Sequence, residues 1–252
     1  MKNHLFSVDP VSHDFMLFAA FISRCDTEFR YLLDEASFNL LERIVEIAES
    51  CQFQLHPTET LYRTQLGCNY ERHLGAFLLG ESPFDEERML PRADRANEGR
   101  LNPKGIPYLY LADNEQTAVA EARPSFDQRI TVGRFRTVET LRIASFCCRG
   151  VRSPRGSPPT QSLAELTASL FAKPVQRSDD EPQYAATQII AEALRRAGFD
   201  GVYYPSAVSV GGNYALFSSR KGRMILPPHK RTRPMRYVPV VRRLGPAVVD
   251  DV

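Results

Sequence analysis

The chain has 252 residues, with 32 Lys and Arg against 30 Asp and Glu and a formal charge of +2. That balance gives no sign of a nucleic-acid or membrane partner, and the length suits one large domain, or a core of about 150 residues with extensions. The richest apolar run, Phe15 to Ile22, falls far short of the ~20 residues a membrane span needs.

His13 and Asp14 precede that run and no cleavage-type sequence follows it, so a signal peptide is not expected. From Glu28 to Ser50, Leu33, Ala36, Leu40, Ile44 and Ile47 recur at spacings of three and four, the pattern of an amphipathic helix. Pro57 ends this N-terminal helical section. Thr60 to Leu66 then reads as a strand carrying Arg63. Residues 67 to 98 mix Gly, Pro and charges without sustained periodicity and predict loop with short helical pieces. Ile130 to Thr137 and Leu141 to Phe146 have the content and alternation of strands, and are expected to pair as a hairpin through Val138 to Thr140. The Pro, Gly and Ser of residues 149 to 160 punctuate the chain. A helix is expected from Gln161 to Ala172, a polar loop from Lys173 to Pro182, and a second helix from Ala185 to Ala197 with Gly198 as its stop. Gly201 to Ala207 reads as a strand ending at Pro205 and Ser206. Gly211-Gly212-Asn213 reads as a turn before a strand from Tyr214 to Phe217. The basic run from His229 to Arg243 is read as a solvated tail, since no nucleic-acid fold signature accompanies it. Five cysteines, Cys25, Cys51, Cys68, Cys147 and Cys148, form no Cys-x-x-Cys pair and are expected to be reduced thiols in a cytoplasmic protein. Metal ligation has no support.

The densest chemistry lies in residues 98 to 124, EGRLNPKGIPYLYLADNEQTAVAEARP. Here a cation, Arg100, an aromatic face, Tyr110, and a carboxylate, Glu121, fall on a turn, a strand and a helix in succession. Gly99 and the Asn102-Pro103-Lys104-Gly105 run are turns, and Tyr108 to Ala112 is an apolar strand. Asp113 is the expected helix cap, with Gln116 completing a capping box, which puts Glu121 on the third turn. A carboxylate beside an aromatic ring and a guanidinium suits a phosphorylated, cationic small molecule.

The blocks GRLNPKGIPYLYLA, TAVAEARP and FDGVYYPSAVSVGGNYALF, in that order, resemble the RES domain family over about residues 57 to 220. The family is named for an Arg, a Glu and a Ser, and many members are toxins paired with a helix-turn-helix antitoxin of the Xre type. The resemblance implies an α+β fold, a curved mixed β core with surrounding helices like that of ADP-ribosyltransferase toxins, preceded here by the helical extension. The division is then residues 1–55 for the extension, 56–227 for the RES domain and 228–252 for the basic tail. It implies degradation of NAD by hydrolysis or phosphorolysis inside the cell, with ADP-ribosylation of a protein as the variation. Arg63 and Arg100 match the family's basic positions, Tyr110 its YLA element, Glu121 its helical Glu and Ser206 its Ser. Leu101 departs from the pattern, replacing an aromatic residue.

These residue types fit that chemistry. Cleavage of the nicotinamide–ribose bond passes through an oxocarbenium ion, and a carboxylate aimed at it stabilises the transition state more than the ground state. Glu121 is the candidate. Arg63 and Arg100 can grip a pyrophosphate through permanently charged donors, and Tyr110 can stack on the pyridinium ring. Ser206 is expected to donate a hydrogen bond to ribose, phosphate or Glu121 rather than to attack, because no histidine lies in a matching segment. Asn213 and Tyr108 are further binding candidates. Three functions stay open: an NAD glycohydrolase or phosphorylase, a protein ADP-ribosyltransferase, and a non-catalytic domain that binds a nucleotide or a partner.

Overall fold

The structure, a computed structural model, describes residues 13–28, 31–72, 79–125, 128–146, 162–173 and 184–224. The punctuation at 149–160, most of the polar loop, His73 and the basic tail lie outside them. Among the described residues two helices come first, α1 (His13–Thr27) and α2 (Glu35–Ser50). The helix read from Glu28 begins only at Glu35, because Asp34 caps it, accepting the Ser37 N–H at 2.9 Å. Arg24 reaches the same carboxylate and Arg43 binds Asp14 at 2.7 Å, tying α1 to α2.

Ten strands follow among the described residues, in chain order: β1 (Phe53–Leu55), β2 (Leu61–Leu66), β3 (Asn69–Arg72), β4 (Leu79–Ser82), β5 (Leu109–Ala112), β6 (Ile130–Thr137), β7 (Leu141–Ser145), β8 (Gly201–Pro205), β9 (Gly212–Leu216) and β10 (Gly222–Met224). Between them lie α3 (Glu86–Met89), α4 (Glu115–Ala122), α5 (Leu163–Ala172) and α6 (Ala185–Arg196). Eight strands form one mixed sheet in the order β1-β7-β8-β9-β5-β2-β6-β10. Every pairing in it is antiparallel except β7 with β8. That parallel step needs a long crossover, and the crossover contains α5 and α6.

Alternation along the strands divides the core in two. Ala144, Val202, Tyr204, Ala215 and Phe217 face the helices α1, α2, α5 and α6. Leu109, Leu111, Ile143, Tyr214 and Leu216 face the other way, into a cluster that includes Leu55 of one edge strand and Met224 of the opposite edge. For both edges to meet in one cluster the sheet must curl around it. The fold is thus the expected α+β arrangement with a curved mixed sheet.

Several expectations fail locally. β6 and β7 do not pair with each other: β6 lies between β2 and β10, and β7 between β1 and β8. The connection Val138-Glu139-Thr140 has neither the Gly nor the Asn that a tight hairpin turn demands. Residues 67–98 contain the expected helical pieces, but also the β3–β4 hairpin; its strands are too polar to show an apolar alternation. Phe53–Leu55, read as part of the helical section, is an edge strand on β7. Gly212 and Asn213 open β9 instead of forming a turn. Cys25 and Cys68 are buried thiols, whereas Cys51 is disulfide-bonded, which spacing along the chain could not reveal. Among the described residues no helix is long and apolar enough to cross a membrane.

Candidate active site

β2 pairs with β6 along its whole length and β5 with β9 along its own, yet β2 and β5 meet at a single register pair, Tyr62 with Ala112. Their divergence opens a cleft of about 480 Å³, lined among others by Arg63, Arg100, Tyr110, Glu121, Tyr204 and Asn213. Segments distant in sequence therefore share one hollow.

Arg63 stands at the split. Its Nη1 donates to the Tyr110 carbonyl at 3.1 Å, meeting an acceptor that β2 does not reach. Its Nε and the neighbouring Thr64 Oγ1 are buried without a hydrogen-bond partner, and no carboxylate pairs with it among the described residues. Burial, with a smaller push from the Arg88 charge, brings its pKa down to about 10. Such a cation gains from an anionic ligand.

Arg100 sits on a turn organised from within. Asn102 Nδ2 donates to the carbonyls of Asn97 and Ile106, each at 3.0 Å. Its Oδ1 accepts the Tyr110 hydroxyl at 2.8 Å, and that hydroxyl accepts the Leu101 N–H at 3.0 Å. Leu101, where the family pattern has an aromatic, is wholly buried. The Arg100 guanidinium donates to the Phe171 carbonyl near the end of α5, one of the acceptors a helix terminus leaves open. It also stands 5.8 Å from the centre of the Tyr204 ring. Burial raises the phenol pKa of Tyr204 to about 12 and raises that of Tyr110 further, so both rings are neutral surfaces.

Glu121 lies near the C-terminal end of α4. The cap is Asn114, not Asp113: Asn114 Oδ1 accepts the Thr117 N–H at 2.8 Å, so the helix starts one residue later than the capping-box pattern implied. Asp113 is diverted because its Oδ2 accepts the Gly212 N–H at 2.8 Å and the Tyr203 hydroxyl at 3.3 Å. Asp113, Thr117 and Glu121 recur every fourth residue and so lie along one face. Each holds the segment between β8 and β9. Thr117 Oγ1 donates to Ser209 Oγ at 3.0 Å, and Glu121 Oε1 accepts from Ser206 Oγ at 2.7 Å and from Asn213 Nδ2 at 2.6 Å. A Cβ on Gly211 would lie 2.3 Å from Asp113 Oδ1, Asn114 Nδ2 and Thr117 Oγ1, so this close approach requires glycine.

The one hydroxyl proton of Ser206 is used: its Oγ donates to Glu121 and accepts the Val208 N–H at 3.2 Å. No described histidine lines the cleft; the exposed His56 lies instead beside Thr140. Glu121 Oε2, by contrast, has no hydrogen-bond partner among the described residues. Tyr108 is buried against Phe217 and lines a neighbouring cleft rather than this one. Sequence reasoning missed Tyr204, Tyr184, Thr64 and the positioning contact of Thr117, although the four-residue spacing from Asp113 to Glu121 was a readable signal for the last. Among the described residues no group of three or more His, Cys, Asp or Glu could hold a metal ion.

A search of curated proteins finds no match. Among solved structures, a chain of the M. tuberculosis MbcT-MbcA toxin-antitoxin complex is similar at 19% identity, covering 77% of this chain and 91% of that one with a TM-score of 0.43. The sequence model of the RES domain matches residues 62–237. That match spans well over half of the chain and includes Arg63, Arg100, Tyr110, Glu121, Ser206 and Asn213, and the chain belongs to the RES domain family.

Proposed function

We propose that this protein is an NAD-degrading enzyme, a glycohydrolase or phosphorylase that releases nicotinamide, and that it acts as a cytoplasmic toxin restrained by an Xre-type antitoxin. The observation that carries the reading is Glu121: one carboxylate oxygen is fixed by Ser206 and Asn213, and the other is left to the cleft that holds Arg63 and Arg100. Membership in the RES family supports the substrate and the toxin role.

In this mechanism Arg63 and Arg100 bind the pyrophosphate, and the Tyr110 and Tyr204 rings flank the nicotinamide riboside. The bond between ribose C1 and the nicotinamide nitrogen breaks, its electron pair neutralising the pyridinium. The positive charge that develops at C1 and the ring oxygen is stabilised by Glu121 Oε2, already oriented before the reaction, so no reorganisation is needed at that moment. Water or phosphate then bonds to C1 and gives up a proton to solvent. Ser206 and Asn213 act through Glu121 and do not form bonds to substrate.

Incubating the purified protein with NAD, with and without phosphate, tests this. Nicotinamide appears if the reading holds, and unchanged NAD in both tubes overturns it. With labelled NAD, label retained on a macromolecule identifies a transferase instead. Unaltered ligand affinity and toxicity in Glu121→Gln identifies a binding module.

A further inference from the structure

Arg63 and Tyr110 line two hollows, not one. On their far side lies a second cleft of about 540 Å³ whose walls come largely from the connection between β4 and β5, with Asn102 and Tyr108 behind. Part of the wall is apolar: Phe84, Leu90 and Pro107 are half-buried around it. The rest is polar and charged, with Arg63, Arg88, Arg92 and Arg95 set against Asp85, Glu87 and Glu98, and its arginines are not equivalent. Arg92 is held by Glu87 at 2.5 Å and Asp94 at 3.0 Å, and Arg95 lies 3.9 Å from Asp94. Arg88 has no carboxylate partner among the described residues; its guanidinium stands 5.1 Å from the centre of the Phe84 ring. Arg63, across the same cleft, also has none and keeps a buried Nε unsatisfied.

Arg63 and Arg88 face one hollow, neither ion-paired to a carboxylate among the described residues; they repel each other, and an anion bonded to both removes that repulsion. A free inorganic phosphate would satisfy the charges but leave the apolar wall and most of the volume unused. A phosphorylated group with a flat, apolar base uses both. The two clefts share Arg63 and Tyr110 in their walls, so a ligand that occupies both passes these two residues. We infer that the second cleft is the subsite for the adenosine diphosphate half of the dinucleotide, with Arg88 joining Arg63 on the adenosine-side phosphate, Arg100 left to the nicotinamide-side phosphate, and the base against Phe84, Leu90 and Pro107. This rests on the NAD reading of the first cleft, and it makes the connection between β4 and β5 the specificity element.

Calorimetric titration of the full chain with ADP tests the subsite separately from catalysis. ADP is expected to bind the wild type and Glu121→Gln alike. Arg88→Gln should weaken ADP roughly 10-fold to 100-fold, the range of a charge-assisted phosphate contact, and should leave nicotinamide mononucleotide, which lacks the adenylate half, unaffected. Arg88 is exposed, so the variant should melt like the wild type. The proposal is overturned if ADP fails to bind the wild type, if Arg88→Gln binds ADP normally, if both ligands weaken together, or if inorganic phosphate binds as tightly as ADP. ADP binding without NAD consumption would sink the catalytic reading and keep the subsite; NAD consumption without ADP binding would do the reverse.

Discussion

The hydroxyl of Ser206 donates to Glu121 Oε1 at 2.7 Å, joining residues 85 positions apart, and Asn213 meets the same oxygen at 2.6 Å. One oxygen thus fixes the side chain, while the other has no hydrogen-bond partner among the described residues. Glu121→Gln separates the two roles, since the amide oxygen can still accept both bonds while the charge is gone. The expected outcome is a fall of roughly 100-fold to 1,000-fold in nicotinamide release with an unchanged thermal melt. Ser206→Ala should cost roughly 10-fold alone, about 1.4 kcal/mol of barrier, and almost nothing further in the Glu121→Gln background. Additive losses in that double-mutant cycle would mean that Ser206 acts on substrate directly.

Gly211 tests the support behind Glu121. A methyl group there collides with Asp113, Asn114 and Thr117 at 2.3 Å, and the segment between β8 and β9 must lift from α4 to make room. Gly211→Ala is therefore expected to lower kcat roughly 10-fold, as misplacement of a preorganised group does, with KM less affected. A kinetic comparison in which only KM moved would contradict the positioning role.

Tyr110 combines two jobs that a single hydroxyl deletion divides. Its oxygen donates to Asn102 and accepts from Leu101, whereas its ring lines the clefts. Tyr110→Phe leaves a buried acceptor and a buried N–H unpaired, a loss of about 1–3 kcal/mol, but keeps the ring. Urea denaturation should show that loss while KM for NAD stays near the wild-type value. Tyr110→Ala should harm both.

What the sequence disclosed follows the range of the forces involved. β5, β8 and α6 are specified by local alternation, helical periodicity and the Gly198 stop, and these were legible within a residue or two. That Arg100, Tyr110 and Glu121 would share one cleft was legible because they lie on consecutive elements, so their proximity is nearly local. Arg63 and Ser206 come from far along the chain and were placed only through the family resemblance. Strand order was not legible: β6 and β7 have strand character in any register, and their partners are chosen by burial against β2 and β8. The cap at Asn114 was missed for a related reason. Asp113 has equal local capping power, and the distant Gly212 N–H and Tyr203 hydroxyl draw it away.

Arg63 should show that part of the site is maintained against stability. Its folded pKa of about 10 lies well below the ordinary arginine value, so the fold disfavours the charged form. The sign follows from proton linkage: from about pH 10 up to the ordinary arginine pKa the unfolded chain binds more protons, so stability rises with pH there, and the penalty is fully present at any lower pH. Arg63→Met keeps an apolar stem of similar shape and removes the unpaired charge, although it forfeits the bond to the Tyr110 carbonyl, about 0.5–1.5 kcal/mol. At neutral pH the variant should melt at or above the wild-type temperature, while KM for NAD rises roughly 10-fold or more through loss of a phosphate contact. A variant that unfolds early and retains its KM would reassign Arg63 to a purely structural role, with the Tyr110 carbonyl as its only purpose.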